Sequence, residues 1–308
     1  MVDVSTYACQ AYPQSATRFQ RLWRLLDQAG EVSQMLEPEH LALRLNTLDE
    51  LDAILGDLDS DLPETGSSSE LLARATTLRS RFEAANERLY RAAHAEIALQ
   101  GTSSGLRRWL TELARVGEAG RSRAGLSFDV FDEIVSGVLQ LCRPDEDSLL
   151  PSPEMTAYQP TPARHILDLI AACRFSSDDV FVDLGSGLGH VPLLVRILTG
   201  VPTRGVEVQP QHAASARDAA QRLNLDRVRF VAEDARMTDL SEGTVFYLFT
   251  PFRGSILAAV VQRLREQSKR RQIRICALGP CTRFLQNQTW LAADGWPDAE
   301  KISVFTSL

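Results

Sequence analysis

The chain has no long apolar run. Nothing in it approaches the ~18–20 uninterrupted apolar residues of a bilayer-spanning helix, so the sequence predicts no membrane span. Its start, Met1-Val2-Asp3-Val4-Ser5, lacks the basic stretch and apolar core of a secretory signal, and a cytoplasmic protein is the expectation. Cysteine is sparse: Cys9, Cys142, Cys173, Cys276 and Cys281 are scattered and odd in number. The Cys276–Cys281 spacing matches neither a CxxC redox pair nor a zinc knuckle, which predicts reduced thiols, some of them buried, and no metal centre. Lysine is almost missing, with two lysines against 31 arginines, a skew that points to arginine-rich, GC-rich bacterial coding.

A basic face is lacking as well. Residues 1–150 carry 15 basic and 24 acidic side chains, and residues 151–308 carry 18 and 16, so net charges of −9 and +2 make the total of −7. Nucleic-acid binding draws much of its affinity from phosphate neutralisation, and neither half supplies it. The run Lys269-Arg270-Arg271 reads as a solvated loop, and nucleic acid is not an expected partner.

What is present is enough for two domains: 308 residues, 44% of them hydrophobic. Residues 1–145 read as an all-α domain. Phe19, Leu22, Trp23, Leu25 and Leu26 recur at helical spacing, as do Leu41, Leu43, Leu48, Leu51, Ile54 and Leu55. Gly66-Ser67-Ser68-Ser69-Glu70 reads as a linker entering a capping box, with Ser67 as the cap of a long helix that ends near Gln100. Shorter helices are expected over 106–116 and 128–141. This acidic block has the make-up of a substrate lid, a dimerisation element or a partner module, without choosing among them.

Pro144, Pro151, Pro153, Pro160 and Pro162 then predict an extended stretch. Beyond it, short β-rich runs alternate with helical segments. Strands are expected at Val180–Leu184, Thr203–Val208, Val228–Val231, Thr244–Phe249, Ile273–Leu278 and Lys301–Phe305, with helices over 190–199, 210–223 and 254–268. Such alternation implies βαβ crossovers. Residues 146–308 are therefore expected to form a Rossmann-like, mostly parallel seven-stranded sheet with helices on both faces.

The first of these strands runs into Gly185-Ser186-Gly187-Leu188-Gly189, and a helix opens at His190. Ligands of open α/β sheets bind beyond the carboxyl ends of the strands, where glycine lets the backbone turn tightly and approach a ligand. Three carboxylates stand at successive strand ends. Asp183 lies two residues before Gly185, placed for a methionine ammonium. Glu207 stands 24 residues later, where a carboxylate accepts ribose hydroxyls, and Asp234 follows the third strand, placed for an adenine amino group. Each has a plainer reading as an exposed acid near a helix N-terminus. A nicotinamide dinucleotide fits less well, because its GxGxxG fingerprint needs glycine where His190 stands.

The run Val180-Phe181-Val182-Asp183-Leu184-Gly185-Ser186-Gly187-Leu188-Gly189-His190-Val191 resembles the class I S-adenosylmethionine-dependent methyltransferases. It is most similar to the disruptor-of-telomeric-silencing branch of non-SET histone-lysine methyltransferases and its bacterial relatives. Glutamine is usual there at the place of His190, and a Tyr…Thr segment precedes the strand, as Tyr158-Gln159-Pro160-Thr161 does here. The resemblance covers residues 156–308 and implies S-adenosyl-L-methionine as cofactor. It implies a cofactor site made of Tyr158, Thr161, Asp183, Gly185, Ser186, Gly187, Gly189, Glu207, Val208, Asp234, Ala235 and Thr250, with Tyr158 and Thr161 closing over the methionine carboxylate. The chain departs from the branch after strand four, where Phe249-Thr250-Pro251-Phe252 replaces an asparagine-rich turn and is not an (Asn/Asp)-Pro-Pro-(Tyr/Phe) turn either. Those residues are expected to line the acceptor side. Candidate bases are His190 and Tyr158, with Thr250 a further catalytic candidate, whereas His165, on an apolar-periodic helix, reads as structural. The methyl acceptor and the oligomeric state have no signature in these residues.

Overall fold

The structure, a computed structural model, describes residues 13–28, 32–58, 66–117, 129–144 and 152–308. The chain start, Cys9, Pro151 and the expected boundary at 145/146 lie outside the described residues, as do the side chains of Phe19 and Ser67. Packing divides the chain into two compact units, Met1–Ala92 and Ala93–Leu308.

The first unit is helical: α1 (Pro13–Gln28), the short α2 (Val32–Met35), α3 (Leu41–Leu58) and most of α4 (Gly66–Gln100). Gly66–Ser69 is helix rather than linker, so Ser67 lies within the first described turn of α4 and not ahead of it. The expected apolar stripe is the core: Leu22, Leu26, Leu48, Leu51 and Ile54 pack with Leu71, Leu78 and Phe82. Trp23 and Leu43 do not join it and stay about half exposed. Each helical residue turns by about 100°, so Trp23 points well away from the face that Leu22 and Leu26 share. Arg44 is fully buried, donating to Asn86 Oδ1 at 2.8 Å and to the carbonyls of Met35 and Glu37.

The second unit adds α5 (Ser104–Gly117), α6 (Val130–Leu139), α7 (Ala163–Cys173) and the sheet. A capping box fixes the start of α6. Asp129 Oδ1 accepts from Phe131 N at 2.9 Å, and Asp132 Oδ2 accepts from Asp129 N at 2.8 Å. The same acids hold α7, through Asp132 Oδ1 to Ala163 N and Asp129 to Arg164, both at 2.7 Å. The expected histidine on α7, His165, is wholly buried. The proline-rich stretch opens on a turn at Pro153-Glu154, closed by Met155 N donating to Ser152 O at 3.0 Å, and from Thr156 to Pro162 it forms neither helix nor strand.

The strands and their helices alternate as β1 (Phe181–Leu184), α8 (His190–Thr199), β2 (Thr203–Glu207), α9 (Pro210–Arg222), β3 (Val228–Ala232), β4 (Val245–Phe249), α10 (Gly254–Ser268), β5 (Arg274–Leu278), α11 (Cys281–Gln286), β6 (Leu291–Ala293) and β7 (Ser303–Ser307). The sheet order is β3-β2-β1-β4-β5-β7-β6, parallel except for β7, which runs antiparallel to both neighbours. The order reverses beside β1, so the crevice of an open α/β sheet falls at its carboxyl end. This is the Rossmann-like α/β class with a helical N-terminal region. β7 begins two residues later than its sequence pattern suggests, and β6, three residues with partly exposed side chains, has no such pattern. The basic run is also not all solvated: Arg271 donates to the carbonyls of Leu240 and Gly243, tying β5's approach to the β3–β4 connection. Among the described residues no helix is long and apolar enough to cross a membrane.

Candidate functional site

A cleft of about 400 Å³ opens at the carboxyl ends of β1, β2 and β4, within the size range of small-molecule sites. It is lined by Tyr158, Thr161, Asp183, Gly185, Ser186, Glu207, Val208, Asp234, Ala235 and Thr250, all named from the sequence, and by His190. Gly187 and Gly189 lie outside this lining. Gly187, at φ 51°, is covered by the Tyr158 ring, which occupies the space a Cβ there would need. Gly189, at φ 89°, serves packing instead: a Cβ would come within 2.6 Å of the Phe230 ring on β3 and 3.0 Å of Ala216 on α9. Gly189→Ala is expected to lower stability by about 2 kcal/mol, from left-handed strain plus overpacking, as read by urea unfolding.

Glu207 makes the turn. Its Oε2 accepts from Gly187 N and its Oε1 from Gln209 N, each at 2.8 Å, while Gly185 N and Ser186 N both donate to Val206 O. The β1 turn is thereby pinned to the end of β2. Asp183 is 3% exposed and pairs in register with Gly205 and Tyr247 on the flanking strands. Burial, with the nearby Glu207 charge, raises its carboxyl well above the usual range. It has no ion-pair partner among the described residues, so a positively charged ligand group is what would favour its ionised form.

The arm before α7 closes one side. Tyr158 Oη lies 3.2 Å from His190 Nδ1, and its ring stands 5.0 Å from that of His212 on α9. Burial raises the Tyr158 phenol and lowers the His190 imidazole to about 4, so at neutral pH both are uncharged. Thr161 Oγ1 shares a hydrogen bond with Tyr247 Oη at 3.2 Å, fixing the far end of the arm on β4.

An imidazole held near 4 in the fold and near 6.5 when unfolded takes up a proton first in the unfolded chain, so stability falls as pH drops from about 6.5 to 4. His190 is expected to account for about 2–3 kcal/mol of that loss. Urea unfolding at pH 7 and pH 4.5 should show His190→Gln losing less stability between the two than the parent.

Asp234 is less free than its position suggests. Arg236 grips it through Nη2 at 2.6 Å and Nε at 3.1 Å, and this contact, against burial, lowers its carboxyl. Thr250 carries its own strain, φ 39° for a β-branched residue. Its hydroxyl donates to Leu278 O at 3.0 Å and accepts from Cys281 N at 3.2 Å, a structural use. That bend presents Pro251 and Phe252 to the cleft, and Phe252, 5% exposed, also packs in the sheet core.

Several residues in or beside the cleft wall had no signal in the sequence. Glu154 caps α10 through Ser255 N and Ile256 N, both at 3.1 Å, and Arg253 N donates to Glu154 O while Thr156 N donates to Pro251 O. Gln209 and His212 enter from the start of α9, where Pro210 at the first helical position was the only local marker.

Residues 154–245 match the family model of the histone methylation protein DOT1. Similar solved structures include an RNA methyltransferase from Salinibacter ruber in complex with S-adenosyl-L-homocysteine, 25% identical over 48% of this chain and 92% of that one, with a TM-score of 0.38. The tRNA (uracil-54, C5)-methyltransferase of Pyrococcus abyssi, also with S-adenosyl-L-homocysteine, is 17% identical over 49% of this chain and 40% of its own, with a TM-score of 0.37. TrmN from Thermus thermophilus is 17% identical over 46% and 48%, with a TM-score of 0.37. This chain thus spans less than half of the latter two. No match was found among curated proteins. That family match over 154–245 takes in the arm before α7, the glycine turn and the acids Asp183, Glu207 and Asp234, so this part of the chain is similar to the DOT1 histone methylation proteins and sits on a Rossmann-like sheet whose order reverses beside β1.

Proposed function

We propose that the chain carries a methyl group from S-adenosylmethionine to a protein side chain or a small molecule, in the cleft at the carboxyl ends of β1, β2 and β4. The observation that carries this reading is the pairing of two buried acids, Asp183 and Glu207, beside a glycine turn that Tyr158 covers. The donor set fits the cofactor. Asp183, whose ionised form is disfavoured without a cation, suits the amino-acid end, and Glu207 suits the ribose. Val208 and Ala235 give apolar contact for a base, with Asp234 at its polar edge.

S-adenosylmethionine supplies a sulfonium-bound methyl group ready for in-line displacement. The protein's part is mostly alignment and exclusion of water, worth several kcal/mol. Tyr158 and Thr161 hold the arm shut, and Pro251 and Phe252 form an apolar wall where an acceptor would lie. Neutral His190 is able to take a proton if the acceptor must lose one. Residues 1–145, as a domain distinct from 146–308, would shape acceptor choice.

The test is titration calorimetry with S-adenosylmethionine, S-adenosylhomocysteine and NAD, followed by transfer from labelled cofactor into cell extract. Binding of the first two and not the third, with label incorporated, supports the reading. Binding without any incorporation would favour a catalytically silent partner subunit.

A further inference from the structure

Among the polar side chains in the cleft wall, Gln209 is one to which the fold gives no employment. It is 6% exposed, yet its Oε1 has no hydrogen-bond partner among the described residues. A buried carbonyl oxygen left unpaired is costly, and such atoms call for an explanation. Gln209 stands at the N-cap of α9, where a polar side chain would ordinarily accept from the first turn, but it makes no such bond. Its backbone does all the local work, with N–H donating to Glu207 Oε1 at 2.8 Å and O accepting from Ala213 N at 3.1 Å. The carboxamide is therefore anchored directly beside the Glu207 carboxylate and lines the same cleft. Ser186 Oγ is likewise buried without a partner, but it is turned toward β2: a Cβ on Gly205 would come within 2.5 Å of it. Gln209 is the better candidate to face a ligand.

Glu207 reaches any ligand with part of its capacity used, since each oxygen already accepts one backbone N–H. A ribose brings two adjacent hydroxyl donors to that point. We propose that Gln209 is a second reader of the cofactor's ribose, its Oε1 accepting the proton of one hydroxyl while Glu207 accepts from the other. Gln209 then makes the site selective for a nucleoside with both hydroxyls free. This rests on the assignment of the cleft to S-adenosylmethionine.

The experiment is calorimetric titration of the full chain with S-adenosylhomocysteine and with its 2′-deoxy and 3′-deoxy analogues. The parent is compared with Gln209→Met, which keeps the side chain's length and removes its polar atoms. Losing one net hydrogen bond corresponds to about tenfold in Kd. Gln209→Met is expected to weaken S-adenosylhomocysteine about tenfold while leaving the affinity of one deoxy analogue within about twofold of the parent's. In the absence of ligand the variant should melt at or above the parent, because an unpaired buried oxygen is gone. An equal loss for all three ligands, no loss for any, or a lowered melting temperature would each overturn the proposal. If the parent binds none of the ligands, the cofactor assignment fails and this inference with it. If the parent binds and Glu207→Ala loses affinity while Gln209→Met does not, only this inference fails.

Discussion

Glu207→Ala is expected to raise the Kd for S-adenosylmethionine by about 100-fold, near 3 kcal/mol. The variant loses a charged acceptor for the ribose hydroxyls, and hydrogen bonds to charged groups are worth about 1.5–3 kcal/mol each. It also frees the buried N–H groups of Gly187 and Gln209, which this carboxylate alone holds at 2.8 Å. The turn that carries Gly185 and Ser186 then loses its tie to the end of β2, so part of the lost affinity is lost preorganisation. Glu207→Gln should fall between the two, because its amide offers one acceptor oxygen where two are used. Titration calorimetry reads both variants, and an unchanged Kd in Glu207→Ala would count heavily against the site.

The second large effect is on stability and lies at the opposite end of the strands. Asp179 accepts from Ser176 N at 2.7 Å and Thr244 Oγ1 at 2.8 Å, and its Oδ1 pairs with Arg274 Nη2 at 2.6 Å. Thr244 Oγ1 in turn accepts from Val180 N at 3.0 Å. One carboxylate thus joins the starts of β1, β4 and β5. Burial alone would raise its pKa, but the Arg274 guanidinium and the Ser176 and Thr244 bonds outweigh burial and hold it at about 2. The stabilisation this gives is fully present above the unfolded value near 3.8 and disappears as pH falls through about 2. Asp179→Ala should cost about 3 kcal/mol at pH 7, since it strands a half-buried arginine and two donors. Urea unfolding measures that loss, and cofactor affinity under folding conditions should stay within about twofold because the network lies away from the cleft.

The sheet was legible because its central strands are buried. In β1 and β4 most positions are covered, so the sequence reads as short continuous apolar runs, and each ends on a turn or an acid. Asp183 and Glu207 could be named for the same reason: an acid at the carboxyl end of a buried strand has few places to go but a cleft. What stayed hidden depends on contacts across long stretches of chain. Nothing near Glu154 announces that it caps a helix 100 residues later, and nothing near Asp234 shows that Arg236 turns back onto it. The packing role of Gly189 likewise needs Phe230, which arrives only once β3 is in place. In the N-terminal unit, periodicity found the core but assigned Trp23 and Leu43 to it, because neighbouring apolar residues blur which face is meant.

The bonds from Glu154 to the start of α10, and from Thr156 and Arg253 across to Pro251 and Glu154, fuse the strap before Tyr158 with the bend after β4. The Tyr158 cover of the glycine turn and the Pro251–Phe252 wall of the cleft are consequently a single mechanical part. A displacement of Tyr158 is therefore expected to pull on Pro251, and one of Pro251 to loosen Tyr158.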